Sequence, residues 1–253
     1  MFSQAIVRTP CKNLINGITS AALGKPDYAR ALLQHRHYID ALKQCGLKVT
    51  VLAADETYPD STFIEDTALI TPGCSIITNP GAASRKGEVE EIATVLNNLD
   101  RPVKRIYAPG TLDAGDVMMV GSHYYIGLSE RTNAEGARQL IAILNNHAMT
   151  GSTIKLDRVL HLKTGVSYLE NNYMVAAGEF LSHPDFRKFT ILKINAEESY
   201  AANCVWINDQ VLVPSGHPAA QKTIETAGYR VIAVDVSEFQ KVDGGLSCLS
   251  LRF

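Results

Sequence analysis

The chain has 253 residues, of which 46% are hydrophobic and 20% are charged, and its formal net charge is −2. This is the composition of an ordinary globular protein. Without an excess of positive charge, no overall basic field favours binding of nucleic acid or of an anionic membrane. No apolar run reaches the roughly 18 residues that a membrane-spanning helix needs, and the apolar run at the N-terminus is too short for a secretion signal.

The five cysteines stand at positions 11, 45, 74, 204 and 248 and form no CxxC pair. Their odd number and scattered spacing argue against a zinc cluster and against a thioredoxin-type motif. We therefore expect free thiols and a protein of the reducing cytoplasm.

The spacing of apolar residues and of turn-forming glycine, proline and asparagine predicts alternating strands, hairpins and helices. In chain order these are a strand at 4–8, a helix from 26 to 46, a strand at 47–52, a hairpin at 68–71 and 75–78, a helix near 87–98, a strand at 103–107, a hairpin at 117–120 and 124–127, a helix near 133–147, a strand near 153–158, strands at 161–168 and 173–177, a short helix after Pro184, a strand at 190–194, a hairpin at 204–207 and 211–213, a helix from 217 to 228, a strand at 229–235 and a last strand that begins at Cys248.

The succession of helix, strand and hairpin recurs about five times at a spacing near 50 residues, which is typical of a repeat architecture. The last unit lacks a strand, whereas the first strand, 4–8, has no unit of its own. Pairing the two chain ends would close a ring. We therefore predict one catalytic domain over residues 1–253, an α/β propeller with five-fold pseudo-symmetry and a central cleft. A doubly wound sheet is the alternative, although no GxGxxG or GxxxxGK motif follows a strand.

Polar residues recur in the loops that precede or end the predicted strands, and in a ring these loops would meet at one mouth. They are Asp60, Glu65, Asp66, Arg85, Asp113, Asp116, Arg131, His161 and Cys248. A cysteine with a histidine suggests nucleophilic catalysis, because an imidazole lowers the thiol pKa and moves protons. Carboxylates suit a guanidinium, and arginines suit a carboxylate. The set predicts an arginine-like substrate that sulfur attacks at the guanidinium carbon.

Each of these residues also has a structural interpretation. His161 alternates with leucines and could be a hydrogen-bonded core histidine, and a cysteine such as Cys248 commonly packs as a small hydrophobe. Asp113 stands before a glycine, as a turn residue would. We predict that two other cysteines, Cys45 and Cys204, pack in the core.

A series of ordered motifs makes the whole chain resemble the dimethylarginine dimethylaminohydrolase family of the pentein, or guanidino-group-modifying, superfamily, and its bacterial branch above all. The motifs are LGKPDY at 23–28, FIED at 63–66, NPGA at 79–82 with Arg85, AGD at 114–116, RTNAEGA at 131–137, HLKT at 161–164, ESYAANC at 198–204 and VDGGLSC at 242–248.

The resemblance implies a five-bladed α/β propeller and an enzyme without metal or organic cofactor. It implies hydrolysis of Nω-methylated L-arginines to L-citrulline and dimethylamine or methylamine, through a covalent thiouronium intermediate. By the same resemblance Cys248 is the nucleophile, His161 the general acid–base and Asp113 the acid beside that histidine. The substrate-binding residues that the resemblance implies are Ile18, Asp60, Glu65, Asp66, Arg85, Arg131 and Val242, with Asp66 at the guanidinium and the two arginines at the α-carboxylate.

Lys163 bears on the choice of reaction within the superfamily. Arginine and agmatine deiminases, which the chain also resembles, carry an aspartate at this position, two residues after the histidine, and it binds the unsubstituted nitrogens. A lysine there fits a methylated nitrogen, which lacks the hydrogens to satisfy a buried carboxylate. The second hypothesis is an arginine deiminase or an amidinotransferase. The third is a catalytically silent relative that binds amino acids.

The expected partner is a small-molecule substrate, without nucleic acid or membrane, and a homodimer stays open beside a monomer. The segment 18–24, which is rich in small residues and contains a glycine, is a candidate lid over the cleft.

Overall fold

The computed structural model describes residues 1–253. The strands are β1 (Gln4–Arg8), β2 (Lys48–Leu52), β3 (Ala68–Ile70), β4 (Ser75–Ile77), β5 (Val103–Arg105), β6 (Val117–Val120), β7 (His123–Leu128), β8 (Thr150–Lys155), β9 (Val166–Tyr168), β10 (Tyr173–Ala176), β11 (Thr190–Lys193), β12 (Val205–Ile207), β13 (Gln210–Pro214), β14 (Arg230–Val234) and β15 (Leu251–Arg252). The α-helices are α1 (Tyr28–Gln44), α2 (Val89–Asn97), α3 (Ala134–Asn145), α4 (Leu162–Gly165), α5 (Pro218–Thr226) and α6 (Ser237–Gln240). No helix combines the length and the apolar character that crossing a bilayer requires.

The strands form five separate three-stranded sheets with one common plan. With hydrogen-bonded neighbours written side by side, the strand orders within the sheets are β15-β1-β2, β3-β4-β5, β6-β7-β8, β9-β10-β11 and β12-β13-β14. In each sheet the middle strand pairs antiparallel with one neighbour and parallel with the other. The parallel strand follows a crossover that carries helical structure, which is the connection that parallel pairing requires. The repeat predicted from the order of elements is therefore confirmed.

The two ends of the chain meet in one sheet. Ala5 of β1 lies opposite Arg252 of β15 in antiparallel pairing and opposite Val49 of β2 in parallel pairing. The carbonyl oxygen of Phe253 accepts hydrogen bonds of 2.8 Å from the amides of Ser3 and Gln4. The predicted pairing of the chain ends is confirmed, and the doubly wound sheet is wrong.

Helix α1 shows how local sequence determines the length of an element. The Asp27 carboxylate caps its start by accepting a 2.9 Å hydrogen bond from the amide of Arg30. Gly46, with a φ of +87°, follows its end in the left-handed conformation that glycine adopts readily. Tyr38 and Leu42 are fully buried and belong to the apolar cluster that joins this helix to strands β1 and β13.

Five short turns of helix, here called the central turns, precede the first strand of each sheet. They are Ile64–Thr67, Ala114–Asp116, Leu162–Gly165, Ser199–Ala202 and Ser247–Leu249. Neighbouring central turns pack on one another: the fifth contacts the first, the first contacts the second, the second contacts the third, and the third contacts the fourth. The side chain of Asn203 joins the fourth to the fifth, because its Oδ1 accepts a 3.0 Å hydrogen bond from the amide of Ser247. The central turns thus bring five distant stretches of sequence together.

The central turns correct two details of the prediction from sequence. His161 does not lie in a strand that spans 161–168, because it precedes the helical turn α4, and strand β9 begins only at Val166. Cys248 does not begin a strand either, since it lies within a turn and β15 starts at Leu251. The amides there do not join a sheet: the amide of Leu162 donates to the carboxylate of Asp116 at 2.9 Å, and the amide of Cys248 donates to the carbonyl oxygen of Gly245 at 3.2 Å.

His35 of α1 gives the fold an acid-sensitive position. It is buried, and its Nε2 has no hydrogen-bond partner. Burial, with a smaller repulsion from Arg36, lowers its pKa to about 4. The imidazole of the unfolded chain therefore becomes protonated near pH 6.5, whereas that of the folded protein becomes protonated only near pH 4. Folding stability should therefore fall by about 3 kcal/mol as the pH drops from 6.5 to 4 on account of this residue alone.

Urea unfolding of the unaltered protein and of His35→Gln at pH 7 and pH 4.5 checks this expectation. Other groups titrate equally in both proteins, so the comparison isolates residue 35. The unaltered protein should lose about 2 kcal/mol more than the variant over this range. Equal losses would contradict a neutral buried imidazole.

Candidate active site

A cavity of about 720 Å³ opens where the central turns meet. It brings together predicted site residues from seven separate stretches of the chain, namely Ile18, Asp60, Asp66, Arg85, Asp113, Arg131, His161, Val242 and Cys248. Glu65 and Asp116, which the sequence analysis also placed at the mouth of the ring, do not line it. Cavities of this kind, with several convergent titratable groups, are the usual sites of catalysis.

His161 is paired with Asp113 in the wall of this cavity. Nε2 of the histidine lies 3.2 Å from Oδ2 of Asp113, whose other oxygen accepts a 2.8 Å hydrogen bond from the amide of Gly81. Burial opposes protonation of the imidazole, but the charge of Asp66, the Asp113 hydrogen bond and the charge of Asp116 outweigh it and raise the pKa of His161 to about 9. At neutral pH the residue is therefore an imidazolium, which can act as a general acid.

Cys248 is partly buried in the fifth central turn. The amide of Gly245 points at its Sγ across 3.4 Å. Burial and the negative charges of Glu65 and Asp66 raise the pKa of the thiol to about 12. The thiol is consequently neutral in the unliganded protein. A cation bound beside Sγ would favour the thiolate, so ligand binding itself can activate this nucleophile.

Arg85 and Asp66 form the centre of a buried charge cluster. The Arg85 guanidinium forms an ion pair with Asp66 and, through Nη2, a 2.7 Å ion pair with Glu88, and the same nitrogen donates to the carbonyl oxygen of Phe63 at 2.9 Å. Burial opposes ionisation of Asp66, but the charges of His161 and Arg85 hold its pKa below the usual range. Most donors of Arg85 are thus engaged within the protein, where they fix the acidic loop that begins at Asp60.

Arg131, the other predicted arginine, is in a different state. It is half-buried in the cavity wall, and its guanidinium makes no ion pair or hydrogen bond. An arginine with all its donors available suits bidentate binding of a carboxylate. Of the two arginines, Arg131 is therefore the better placed to bind an anionic group of a ligand.

Asp60 holds the N-terminal segment of the chain, at Ile18, against the cavity. Its carboxylate accepts a 3.0 Å hydrogen bond from the amide of Ile18, and burial raises its pKa. Val242, which faces the same cavity, is buried. Ile18 itself is 39% exposed and stands at the cavity rim.

Glu65 is buried and does not line the cavity that holds the other predicted substrate-binding residues. Its carboxylate accepts a 2.6 Å hydrogen bond from Lys163 and a 2.7 Å hydrogen bond from the hydroxyl of Ser247, and it lies 3.2 Å from Arg252. Lys163 and Arg252 thus neutralise this carboxylate from within the protein. The negative charge of Glu65 nevertheless helps to raise the pKa of Cys248.

Asp243 is a cavity residue that the prediction from sequence omitted. It lines the cavity with a φ of +56°, a conformation that sequence alone does not reveal. Its Oδ2 accepts hydrogen bonds from the amide and the hydroxyl of Ser20, at 2.6 and 3.0 Å. The candidate lid is therefore tied to the segment that carries Cys248. The aspartate before two glycines was the only available signal, and it indicated merely a turn.

Asp66, Asp113 and His161 offer metal-binding atoms that lie within 4.8 Å of one another. A metal would require the neutral imidazole, since a protonated ring has no free lone pair. His161 instead favours its protonated form and is bonded to Asp113, while Asp66 is paired with Arg85. The trio is better suited to proton transfer than to metal binding.

Comparison with protein families gives a match to a model described as "N,N dimethylarginine dimethylhydrolase, eukaryotic" over residues 24–250. The chain belongs to the dimethylarginine dimethylaminohydrolase family. It is 57% identical, over the full length of both chains, to the N(G),N(G)-dimethylarginine dimethylaminohydrolase of Pseudomonas aeruginosa.

Solved structures of the dimethylarginine dimethylaminohydrolase family share the architecture. A cysteine-to-serine variant of the Pseudomonas aeruginosa protein complexed with citrulline covers all of both chains with a TM-score of 0.99 at 56% identity. A histidine-to-glycine variant of a dimethylarginine dimethylaminohydrolase, as an adduct with S-methyl-L-thiocitrulline, gives a TM-score of 0.98 over the same coverage and identity. The pentein fold predicted from the sequence is confirmed.

Proposed function

We propose that this protein is a dimethylargininase, which hydrolyses Nω-methylated L-arginines to L-citrulline and dimethylamine or methylamine. The observation that carries the proposal is that Cys248 and the Asp113-bound His161 line one cavity, which also holds Asp66 and the unpaired Arg131. The related Pseudomonas aeruginosa protein bears the name of this activity, and its variant was solved with citrulline.

In the first half of the reaction Cys248 attacks the guanidinium carbon. The thiol of Cys248 loses its proton to solvent as the substrate cation binds and stabilises the thiolate, and the carboxylate of Asp66 holds the cation in place. A bond forms between Sγ and the carbon, and the bond from this carbon to the methylated nitrogen breaks as that nitrogen takes the proton of His161. The product is a cationic thiouronium ester of Cys248 and a free amine.

In the second half the neutral imidazole of His161 takes a proton from water as the water oxygen bonds to the thiouronium carbon. The carbon–sulfur bond then breaks, which releases citrulline and restores Cys248. The carboxylate of Asp113 orients the imidazole and favours its protonated form in both halves. These steps need only side chains that line the cavity.

Lys163 supports methylated arginine over arginine itself. Its ammonium group is paired with Glu65 at 2.6 Å, so this position adds no free carboxylate to hold unsubstituted nitrogens. We also propose, from the five unpaired cysteines, that the protein works in the cytoplasm, and that residues 1–253 act as one catalytic domain. Its partner is then the small-molecule substrate.

A substrate panel of arginine, monomethylarginine and asymmetric dimethylarginine tests the function. We expect citrulline with stoichiometric methylamine or dimethylamine from the two methylated compounds. Ammonia and citrulline from arginine alone would indicate a deiminase, and transfer of the amidino group to an added amine would indicate an amidinotransferase. If no compound yields citrulline, the proposal is wrong.

Arg131 should determine affinity for the α-carboxylate. We expect Arg131→Leu to raise KM for dimethylarginine by roughly 10- to 100-fold, since a charge-assisted bidentate contact contributes about 1.5–3 kcal/mol. Steady-state kinetics measure this change. Arg138→Leu, which removes an exposed arginine on helix α3, is the matched control and should leave KM unaltered. An unchanged KM in Arg131→Leu would exclude this arginine as the carboxylate ligand.

The thiol pKa should fall when a cation binds. We expect alkylation of Cys248 by iodoacetamide, followed by peptide mass spectrometry, to be slow at pH 7 in the free protein because the thiol has a pKa of about 12. An amidine analogue of arginine that resists turnover and leaves Sγ accessible should speed alkylation at this pH. Rapid alkylation at pH 7 without ligand would contradict ligand-assisted activation.

A further inference from the structure

Asp116 is a fully buried carboxylate that ends the second central turn and does not line the large cavity, the one of about 720 Å³. A buried charge is costly unless hydrogen bonds or opposite charges compensate it. Each oxygen of Asp116 accepts a hydrogen bond, and the two donors belong to different parts of the chain. Both donors lead to residues that the proposed mechanism uses.

The first oxygen of Asp116 anchors the segment that carries the general acid. Oδ1 accepts the 2.9 Å hydrogen bond from the amide of Leu162, the residue after His161. The backbone of His161 is extended, and α4 begins at Leu162, so this bond fixes the point at which the chain turns into the helix. The direction in which the imidazole leaves the backbone depends on that point.

The second oxygen anchors the turn between β7 and α3. Oδ2 accepts a 2.6 Å hydrogen bond from the hydroxyl of Ser129. The Oγ of Ser129 in turn accepts hydrogen bonds from the amides of Arg131 and Thr132, at 3.0 and 3.1 Å. A serine hydroxyl has one hydrogen and two lone pairs, so its whole bonding capacity is used here.

The position of Arg131 depends on this turn, because its guanidinium makes no hydrogen bond or ion pair of its own. Gly81 confines the turn further, since a Cβ on Gly81 would collide with the carbonyl oxygen of Arg131. The hydroxyl of Thr132 accepts a 3.1 Å hydrogen bond from the amide of Asp113, which is the partner of His161. The turn therefore links the free arginine to the acidic partner of the general acid.

We propose that Asp116 is a positioning residue of the reaction, which fixes the general acid and the carboxylate-binding arginine relative to each other. Through Leu162 it sets the backbone of His161. Through Ser129 it sets the backbone of Arg131. The inference rests on the proposed function, in which the substrate is held at its α-carboxylate while its guanidinium meets the catalytic pair. A misplacement of about 1 Å in such an arrangement can lower the rate by about 100-fold.

Ser129→Ala tests the branch that leads to the arginine. We expect KM for asymmetric dimethylarginine to rise about tenfold and kcat to change less than twofold, because the ligand of the α-carboxylate shifts while the catalytic pair does not. Ser129→Ala combined with Arg131→Leu should have the same KM as Arg131→Leu alone, because the serine acts only through the arginine. Steady-state kinetics of the two single variants and the double variant complete this cycle.

Asp116→Asn tests both branches at once. The amide has one acceptor oxygen where two donors need one each, and as a neutral group it also weakens the hydrogen bond that it keeps. We expect a higher KM together with a kcat that is lower by about tenfold. Thr71→Val is the control for a lost buried hydrogen bond. Thr71 is buried and bonded to Cys74 in the β3–β4 hairpin and lines no part of the large cavity, so kcat and KM should stay unaltered.

The outcomes separate the inference from the proposed function. An unchanged KM in Ser129→Ala, or an equal rise of KM in the Arg131→Leu background, would overturn the positioning of the arginine. A less stable Asp116→Asn protein with unaltered kcat and KM would show that the carboxylate serves the fold alone. If Asp116→Asn does not fold, the Ser129 cycle decides. An unaltered protein that forms no citrulline from any methylarginine would instead refute the function itself.

Discussion

Cys248→Ser is expected to lower the rate of citrulline formation by a factor on the order of 10⁴ or more, because no other group can form the covalent intermediate. A serine hydroxyl is far less acidic than a thiol. The nearest base is already protonated, since the pKa of His161 is raised to about 9. A guanidinium cation can shift a thiol pKa of about 12 into a useful range, but not that of an alcohol.

Calorimetric titration and steady-state kinetics of the same variant distinguish loss of chemistry from loss of binding. The variant should still bind dimethylarginine, since Asp66 and Arg131 are untouched. Cys45→Ala is the control: Cys45 is buried at the end of α1, away from the cavity, and its loss should leave turnover intact. Substantial citrulline formation by Cys248→Ser would show that another residue is the nucleophile.

On the proposed mechanism, the protonation states of Cys248 and His161 leave the unliganded protein unreactive. A neutral thiol beside an imidazolium neither attacks nor accepts protons. The same acidic groups produce both states, because Asp66 raises the pKa of Cys248 and also the pKa of His161. A guanidinium that binds between them partly offsets this negative charge and favours the thiolate. On the proposed mechanism, the substrate thus promotes the thiolate that attacks it, while His161 remains protonated.

The sequence predicted the architecture well because its signals are local. Gly46 ends α1 as predicted, and the Asn208-Asp209 pair, with φ values of 51° and 65°, makes a tight hairpin turn. The ring could be predicted because the first strand had no unit of its own and the last unit lacked a strand. The central turns were missed because each is only three or four residues long and its hydrogen bonds go to distant partners, such as Asp116 for Leu162.

Nine of the residues predicted from the sequence line one cavity, but the sequence did not indicate how their side chains pair. Residue types indicated that Asp66 and Arg85 bear on a charged ligand, yet they gave no sign that the two pair with each other and with Glu88. Glu65 does not line the large cavity, and its carboxylate is paired instead with Lys163 and Arg252. Such pairings depend on residues up to 187 positions apart, as in Glu65 and Arg252, which no local pattern encodes.

Arg85→Met is expected to lower the free energy of unfolding by about 3–5 kcal/mol, the usual cost of breaking a buried ion pair. The substitution keeps most of the side-chain volume but leaves Asp66 and Glu88 buried without their positive partner. Both carboxylates and Arg85 itself are almost fully buried. Urea denaturation at pH 7 measures the difference. Arg138→Met is the control, because it breaks an exposed pair with Glu135, and exposed pairs contribute little to stability.

The pH dependence of the same variant identifies the cause of its instability. Burial already raises the pKa of Glu88 despite its pairing with Arg85, and loss of the arginine must raise it further. An acid whose pKa is higher in the folded than in the unfolded state costs stability at high pH and regains it on protonation. The deficit of Arg85→Met should therefore shrink between pH 7 and pH 5, and Glu88→Gln in the same background should remove part of it at pH 7. A deficit that is constant with pH would instead indicate lost packing of the side chain.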